Sequence, residues 1–163
     1  MSNPPMDRNP TSRNLMLVAA SGSLTLMIGA YLFQHVGGMA PCKLCITQRY
    51  PHVIAIALGV IAYFIPHRVI AALGAVAAAT TSGYGMYHTG VERGWWQGPT
   101  SCTSGPIGEQ SADDLFNQIM AAPLVRCDDV PWDLFTLSMA SWNALISLGL
   151  VVIWIAAFKR ASV

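Results

Sequence analysis

Charge is what this chain has least of. Only 10% of its 163 residues are charged, against about 25% in an average soluble domain. Too few ionic groups remain to solvate a globular surface, which excludes a soluble enzyme and a disordered chain. Nor is there a field of one sign. The formal net charge is +1, so phosphate backbones find no basic patch and nucleic acid is not an expected partner. No G-x-G-x-x-G loop for a flavin or nicotinamide is present. No C-x-x-C-H haem site is present either, because Ile46 follows Cys45. Internal repeats and low-complexity tracts are absent. What the chain does have is apolar length, with 53% hydrophobic residues and a mean hydropathy of +0.46.

That length falls into four runs, each near the 20 or so residues needed to cross the hydrocarbon core. Leu15–Phe33, Val69–Tyr87 and Leu134–Phe158 contain no charge. Ile46–Ile65 carries Arg49 and His52 near its start and Pro51 between them. Pro51 has no N–H and crowds the carbonyl of Thr47, so a kink is expected there. The runs are continuous rather than alternating, which excludes a β-barrel. The expectation is an all-α membrane protein of one domain, a bundle of four transmembrane helices over about 15–33, 46–65, 69–87 and 134–158. A signal peptide is the rival reading of the first run, since Arg8 and Arg13 precede it. The run is longer than a signal core and leads into Tyr31-Leu32-Phe33-Gln34-His35 rather than a small-residue cleavage site.

Four spans put both termini on one side. The connections are a short loop at 34–45, a tight Pro66-His67-Arg68 turn, and a long loop at 88–133. Arg8, Arg13, Arg68, Lys159 and Arg160 lie in short segments on the terminal side, and every acid except Asp7 lies on the other. Positive-inside counting places both termini in the cytoplasm and the 34–45 and 88–133 loops outside. Within the long loop, Ser111–Leu124 has helical spacing, with Leu115, Phe116, Ile119 and Met120 on one side. Such a helix either lies flat on the membrane or packs on the bundle.

All four cysteines fall on the outer side, where disulfides persist. Cys42 and Cys45 form a C-x-x-C at the start of the second helix. Unpaired N–H groups at a helix start stabilise a thiolate. Arg49 is four after Cys45 and seven after Cys42, one turn deeper on the same face. It reads either as a snorkelling anchor or as a functional cation holding an anionic or carbonyl oxygen of a lipid-dissolved ligand. His52 lies another turn in and reads as packing or pocket lining. Cys102 and Cys127 are single cysteines in the long loop. A bond closing that loop would staple it by roughly 3 to 4 kcal/mol. The alternative is thiol–disulfide exchange, which needs an accessible disulfide and an acceptor. Structural zinc usually takes two close cysteine pairs, and this chain has one.

The order Gln34-His35, Pro41-Cys42-Lys43-Leu44-Cys45-Ile46, Gln48-Arg49-Tyr50 resembles the first external loop and second helix of the bacterial disulfide bond formation protein B (DsbB) family. Tyr87-His88, then Cys102, Cys127 and Trp132-Asp133, resemble that family's second external loop. The resemblance implies a quinone-dependent thiol oxidase of the bacterial inner membrane. Its partner would be a periplasmic thioredoxin-fold oxidase of the DsbA type, and its electron acceptor a membrane quinone, ubiquinone or menaquinone. It further implies that the partner attacks Cys102, bonded to Cys127. Cys42 would re-oxidise that pair, Cys45 would be the thiolate facing the quinone, Arg49 would position the quinone, and His88 would be a second polar contact. Two other functions are compatible with parts of the sequence. Vitamin K epoxide reductase-like proteins also combine four helices, C-x-x-C and quinone chemistry, but carry the motif in the last helix. A disulfide-stapled membrane scaffold would have no chemistry.

Overall fold

The computed structural model describes residues 10–99, 116, 120 and 125–161. Four long helices form the bundle: α1 Pro10–His35, α2 Lys43–Phe64, α3 Arg68–Glu92 and α4 Met139–Arg160. All four are long and apolar enough to cross a membrane, with mean hydropathy between 1.4 and 1.9. Each helix start has a local cause. Proline at the first position of α1 gives up an N–H that would have no partner there. The Cys42 sulfur accepts from the Cys45 N–H and caps α2. His67 Nδ1 accepts from the Val69 N–H and caps α3. Ser138 Oγ does the same for α4 through the Ser141 N–H.

The helices form a closed ring. α1 touches α2 and α4, and α3 touches α2 and α4. The outward surface of the helices is largely apolar. Val18, Ile28, Leu32, Val60, Val76 and Val152 are all exposed on the outer surface, the surface that lipid tails cover. The inside is built from small residues that let helix backbones approach. Ala19, Ala55, Ala62, Ala71 and Ala157 are fully buried, with Met16 and Trp154 as the large fillers. Gly59 faces Ala20 so closely that an added Cβ would stand 2.2 Å from the alanine methyl. At Gly74 it would stand 2.5 Å from the Trp154 ring.

The helix ends differ from the apolar runs. α4 begins at Met139, not Leu134, because 133–138 is an antiparallel hairpin, β1 Asp133–Leu134 with β2 Leu137–Ser138. Its two turn residues, Phe135 (φ 54°) and Thr136 (φ 65°), lie in the left-handed region, the conformation of a two-residue hairpin turn. Apolarity alone cannot separate such a hairpin from the first turn of a helix. At the other end of the long connection, α3 runs one and a half turns past Tyr87, through His88 to Glu92. α2 continues unbroken through Pro51. Of the helix expected at 111–124, Phe116 and Met120 are helical and exposed; the rest lies outside the described residues.

The close approaches make a test. Gly59→Ala and Gly74→Ala should each overpack the bundle and destabilise it by about 1–3 kcal/mol. Gly149→Ala, where nothing lies within 4 Å of the new methyl, should leave stability unchanged or raise it slightly. Thermal unfolding in detergent micelles reads the difference, and equal effects at all three positions would contradict the packing.

Candidate functional site

The start of α2, the end of α3, the start of α4 and the segment from Val125 to Trp132 converge on one cavity of about 710 Å³. Its walls also include Met27, Ala30 and Phe33 of α1. They are mostly apolar, with a few polar groups placed among them, as expected of a site for a lipophilic ring.

The C-x-x-C pair sits at its rim. Cys42 and Cys45 carry free thiols, and their sulfurs are 2.8 Å apart, with Cys42 donating to Cys45. That hydrogen bond, with burial, pushes the Cys42 thiol well above the ordinary cysteine range. Cys127 is fully buried and disulfide-bonded. It packs in one cluster with Cys42, Leu44 and Val91. The two redox-capable segments thus meet at Cys42 and Cys127. Cys102 lies outside the described residues.

His88 stands at that meeting point. Its Nε2 is 3.5 Å from Cys42 Sγ and 3.1 Å from the Cys127 carbonyl, and its Nδ1 accepts from Gln48 Nε2 at 2.8 Å. The family resemblance implies a polar contact to the quinone for His88; the structure places it between the two cysteine segments. Glu92, one turn on, is 5% exposed at its side chain and lies 3.8 Å from His88 Nε2. It accepts a short hydrogen bond from Ser138, the residue that caps α4.

Arg49 lines the same cavity. Its Nη1 donates to Gln34 Oε1 at 2.7 Å, and its guanidinium lies over the Tyr31 ring at 5.0 Å. Both partners belong to α1, so the cation is held in place rather than left to snorkel. Phe33 and Trp132 pack at 5.1 Å across the cavity wall. His52 is buried, lines the cavity and meets Asn143 Oδ1 at 2.9 Å and Thr81 Oγ1 at 3.2 Å.

The structure therefore brings together Cys42, Cys45, Arg49, His88 and Cys127. The sequence reading assigns no site role to Gln34, Gln48, Glu92 or Asn143. The signal for Gln48 and Asn143 was present, since an amide inside an apolar span needs a partner. The sequence places Glu92 in the 88–133 loop, whereas α3 extends to include it. A metal is a further option for this cluster. Ligand atoms of Cys42, Cys45 and His88 all lie within 4.8 Å of one another. The 2.8 Å between the sulfurs is shorter than the roughly 3.8 Å that tetrahedral zinc with 2.3 Å bonds would impose.

Known proteins match this chain along most of its length. The family model described as disulfide bond formation protein DsbB matches residues 12–157. Disulfide bond formation protein B of Albidiferax ferrireducens is 27% identical over 175 residues, covering 96% of this chain and 95% of its own length. That of Verminephrobacter eiseniae is 31% identical, covering 86% and 81%. That of Stutzerimonas stutzeri is 28% identical, covering 90% and 96%. With a match running from the first helix to the end of the fourth, and taking in both cysteine segments and the cavity between them, the chain belongs to the DsbB family of disulfide bond formation proteins.

Proposed function

We propose that this multi-pass membrane protein is a protein-dithiol:quinone oxidoreductase. It re-oxidises a periplasmic DsbA-type thioredoxin-fold protein and delivers the electrons to ubiquinone or menaquinone. The observation that carries this reading is that Cys42, Cys45 and Arg49 line one apolar cavity within a membrane-spanning bundle while Cys127 packs against Cys42 beside it. The termini lie in the cytoplasm and the cysteines face the periplasm of a bacterial inner membrane.

The steps follow from thiol exchange. A thiolate of the reduced partner attacks Cys102 of a Cys102–Cys127 disulfide and releases Cys127. The partner's second thiolate then attacks the mixed disulfide, leaving the partner oxidised and Cys102 and Cys127 reduced. Cys127 next attacks Cys42 of an oxidised Cys42–Cys45 pair, and Cys45 leaves as thiolate. Cys102 attacks the Cys42–Cys127 bond, which re-forms the loop disulfide and leaves Cys42 and Cys45 reduced. Their packing in one cluster favours Cys42 and Cys127 as the sulfurs that meet.

The cavity fits a quinone. Its volume, its apolar walls and the anchored Arg49 suit a planar ring with a polar oxygen and a lipid tail. A bound quinone would supply a two-electron, two-proton acceptor that dissolves in the same lipid. Cys45 provides the thiolate on the cavity side, and Arg49 provides a charge-assisted donor held by Gln34 and Tyr31. His88 contributes a polar edge to the same wall.

Three outcomes test the reading. A membrane-impermeant thiol reagent should label Cys102 in intact spheroplasts after mild reduction; labelling confined to inverted vesicles would reverse the topology. Cys127→Ala should trap the reduced partner as a mixed disulfide through Cys102, and Cys102→Ala should remove that species. Equal trapping through Cys127 would exchange the two roles. Arg49→Lys keeps the charge but loses the planar fork. It should raise the quinone KM about 10- to 150-fold, the worth of a charge-assisted hydrogen bond, with partner exchange nearly unchanged. Wild-type KM in both Arg49→Lys and Arg49→Ala would reduce Arg49 to an anchor.

A further inference from the structure

A line of polar side chains threads the bundle from His88 on α3 to His52 on α2. Gln48 Nε2 donates to His88 Nδ1 at 2.8 Å. Asn143 Nδ2 donates to Gln48 Oε1 at 2.7 Å. His52 Nε2 meets Asn143 Oδ1 at 2.9 Å. An amide nitrogen only donates and an amide oxygen only accepts, so the line has a direction. Running it one way makes His88 a proton carrier on Nε2. Running it the other way puts that proton on Nδ1 and leaves Nε2 a lone pair.

Four contacts outside the line choose between the two directions. The Leu44 carbonyl is 3.3 Å from Gln48 Nε2, and turning that amide would set oxygen against oxygen. Thr81 Oγ1 spends its proton on the Gln48 carbonyl at 3.0 Å, so at 3.2 Å from Asn143 it must accept, which requires the amide nitrogen there. The Cys127 carbonyl, 3.1 Å from His88 Nε2, can only accept, which requires N–H on that nitrogen. The last contact is an absence. His52 Nδ1 is buried with no hydrogen-bond partner among the described residues. In the first direction it is a bare lone pair. In the second it is a buried N–H without an acceptor, which folded proteins rarely tolerate. All four favour the first direction.

We propose that Gln48, Asn143 and His52 form a tautomer lock that holds His88 as the neutral Nε2–H donor, aimed at Cys42 and the Cys127 carbonyl. Its use rests on the thiol-exchange reading above; the lock itself does not. A donor at this place supports the charge on a Cys42 sulfur as its bond to the loop cysteine is made or broken. It cannot take the Cys42 proton, and Glu92, 3.8 Å away, is the other titratable group facing that nitrogen. The lock also bears on the Cys42, Cys45 and His88 triangle. Two thiolates and an imidazole capture metal readily, but only through a free lone pair on Nε2. Holding a proton there keeps a reduced pair from being captured. Gln48, Asn143 and His52 are thus positioning residues that act through His88.

The test uses the full chain in detergent micelles, reduced, with ¹⁵N-labelled histidine and His88→Gln as the assignment control. In the wild type, His88 should show a pyrrole-type Nε2 and a pyridine-type Nδ1. Gln48→Glu places an acceptor at Nδ1 and should give a pyrrole-type Nδ1. Asn143→Asp accepts only and never touches His88, yet it should turn Gln48 and produce the same change. With zinc added, Cys42 and Cys45 should be protected from alkylation at about 10- to 100-fold lower zinc in Gln48→Glu than in wild type, the usual size of a supporting-residue effect on metal affinity. A pyridine-type Nε2 on His88 in the wild type would overturn the lock, even if neither variant folds. So would zinc protection at equal concentrations in wild type and Gln48→Glu. A wild type with the expected spectrum that fails to oxidise a DsbA-type dithiol would instead sink the functional reading and leave the lock standing.

Discussion

Inside a bilayer a polar side chain has no water to turn to, and this site is arranged around that constraint. Every donor or acceptor placed there needs a protein partner or costs free energy. The exchange chemistry proposed for the two cysteine pairs would nonetheless call for polar groups near the sulfurs. The bundle satisfies both demands by tying those groups to one another across three helices. His88 of α3 is held by Gln48 of α2, Gln48 by Asn143 of α4, and Asn143 by His52 of α2 and Thr81 of α3. Each bond crosses between helices, so the same contacts that satisfy the site also fix the register of the bundle.

Close packing makes this possible. Long polar side chains such as Gln48 reach their partners only where the backbones approach, and alanine and glycine supply that approach. Ser82 donates to the Ala144 carbonyl across α3 and α4 at 2.9 Å, a contact that larger neighbours would prevent. Trp154 fills the opposite end of the bundle against Gly74. The cavity lies toward the end of the bundle that carries Cys42 and Cys45.

Much of this was legible in the sequence, for physical reasons. Apolar runs indicate four spans because hydrocarbon thickness sets a length. Cys42, Cys45 and Arg49 could be placed on one helical face because 3.6 residues per turn fixes their spacing. The misreadings share one cause: apolarity does not report backbone conformation. Leu134–Leu137 is as apolar as a helix but turns through Phe135 and Thr136 at positive φ. Glu92 carries an ionisable side chain yet is helical, and Ser138 Oγ donates to its carboxylate. Partners distant in sequence were illegible altogether. Nothing in a local pattern says that Gln48 will meet Asn143, or that Arg49 will meet Gln34, until the helices are assembled.

The return segment of the long loop shows how the two halves of the site are joined. The Cys127 carbonyl is held by His88. Five residues later Trp132 packs on Phe33 of α1. The hairpin that follows is fixed on two sides, with Arg93 donating to the Thr136 carbonyl at 3.1 Å and Trp142 to the Leu134 carbonyl at 3.3 Å. Ser138 then caps α4 and holds Glu92. The segment is thus clasped to α1, α3 and α4 within a dozen residues. Two left-handed residues that are not glycine carry strain, and several simultaneous anchors are what it takes to hold them. The same anchors set where Cys127 sits relative to Cys42. In the proposed exchange the two sulfurs must approach, and a loop free to wander would meet Cys42 only by diffusion. Clasping its return end to three helices makes that meeting a property of the fold.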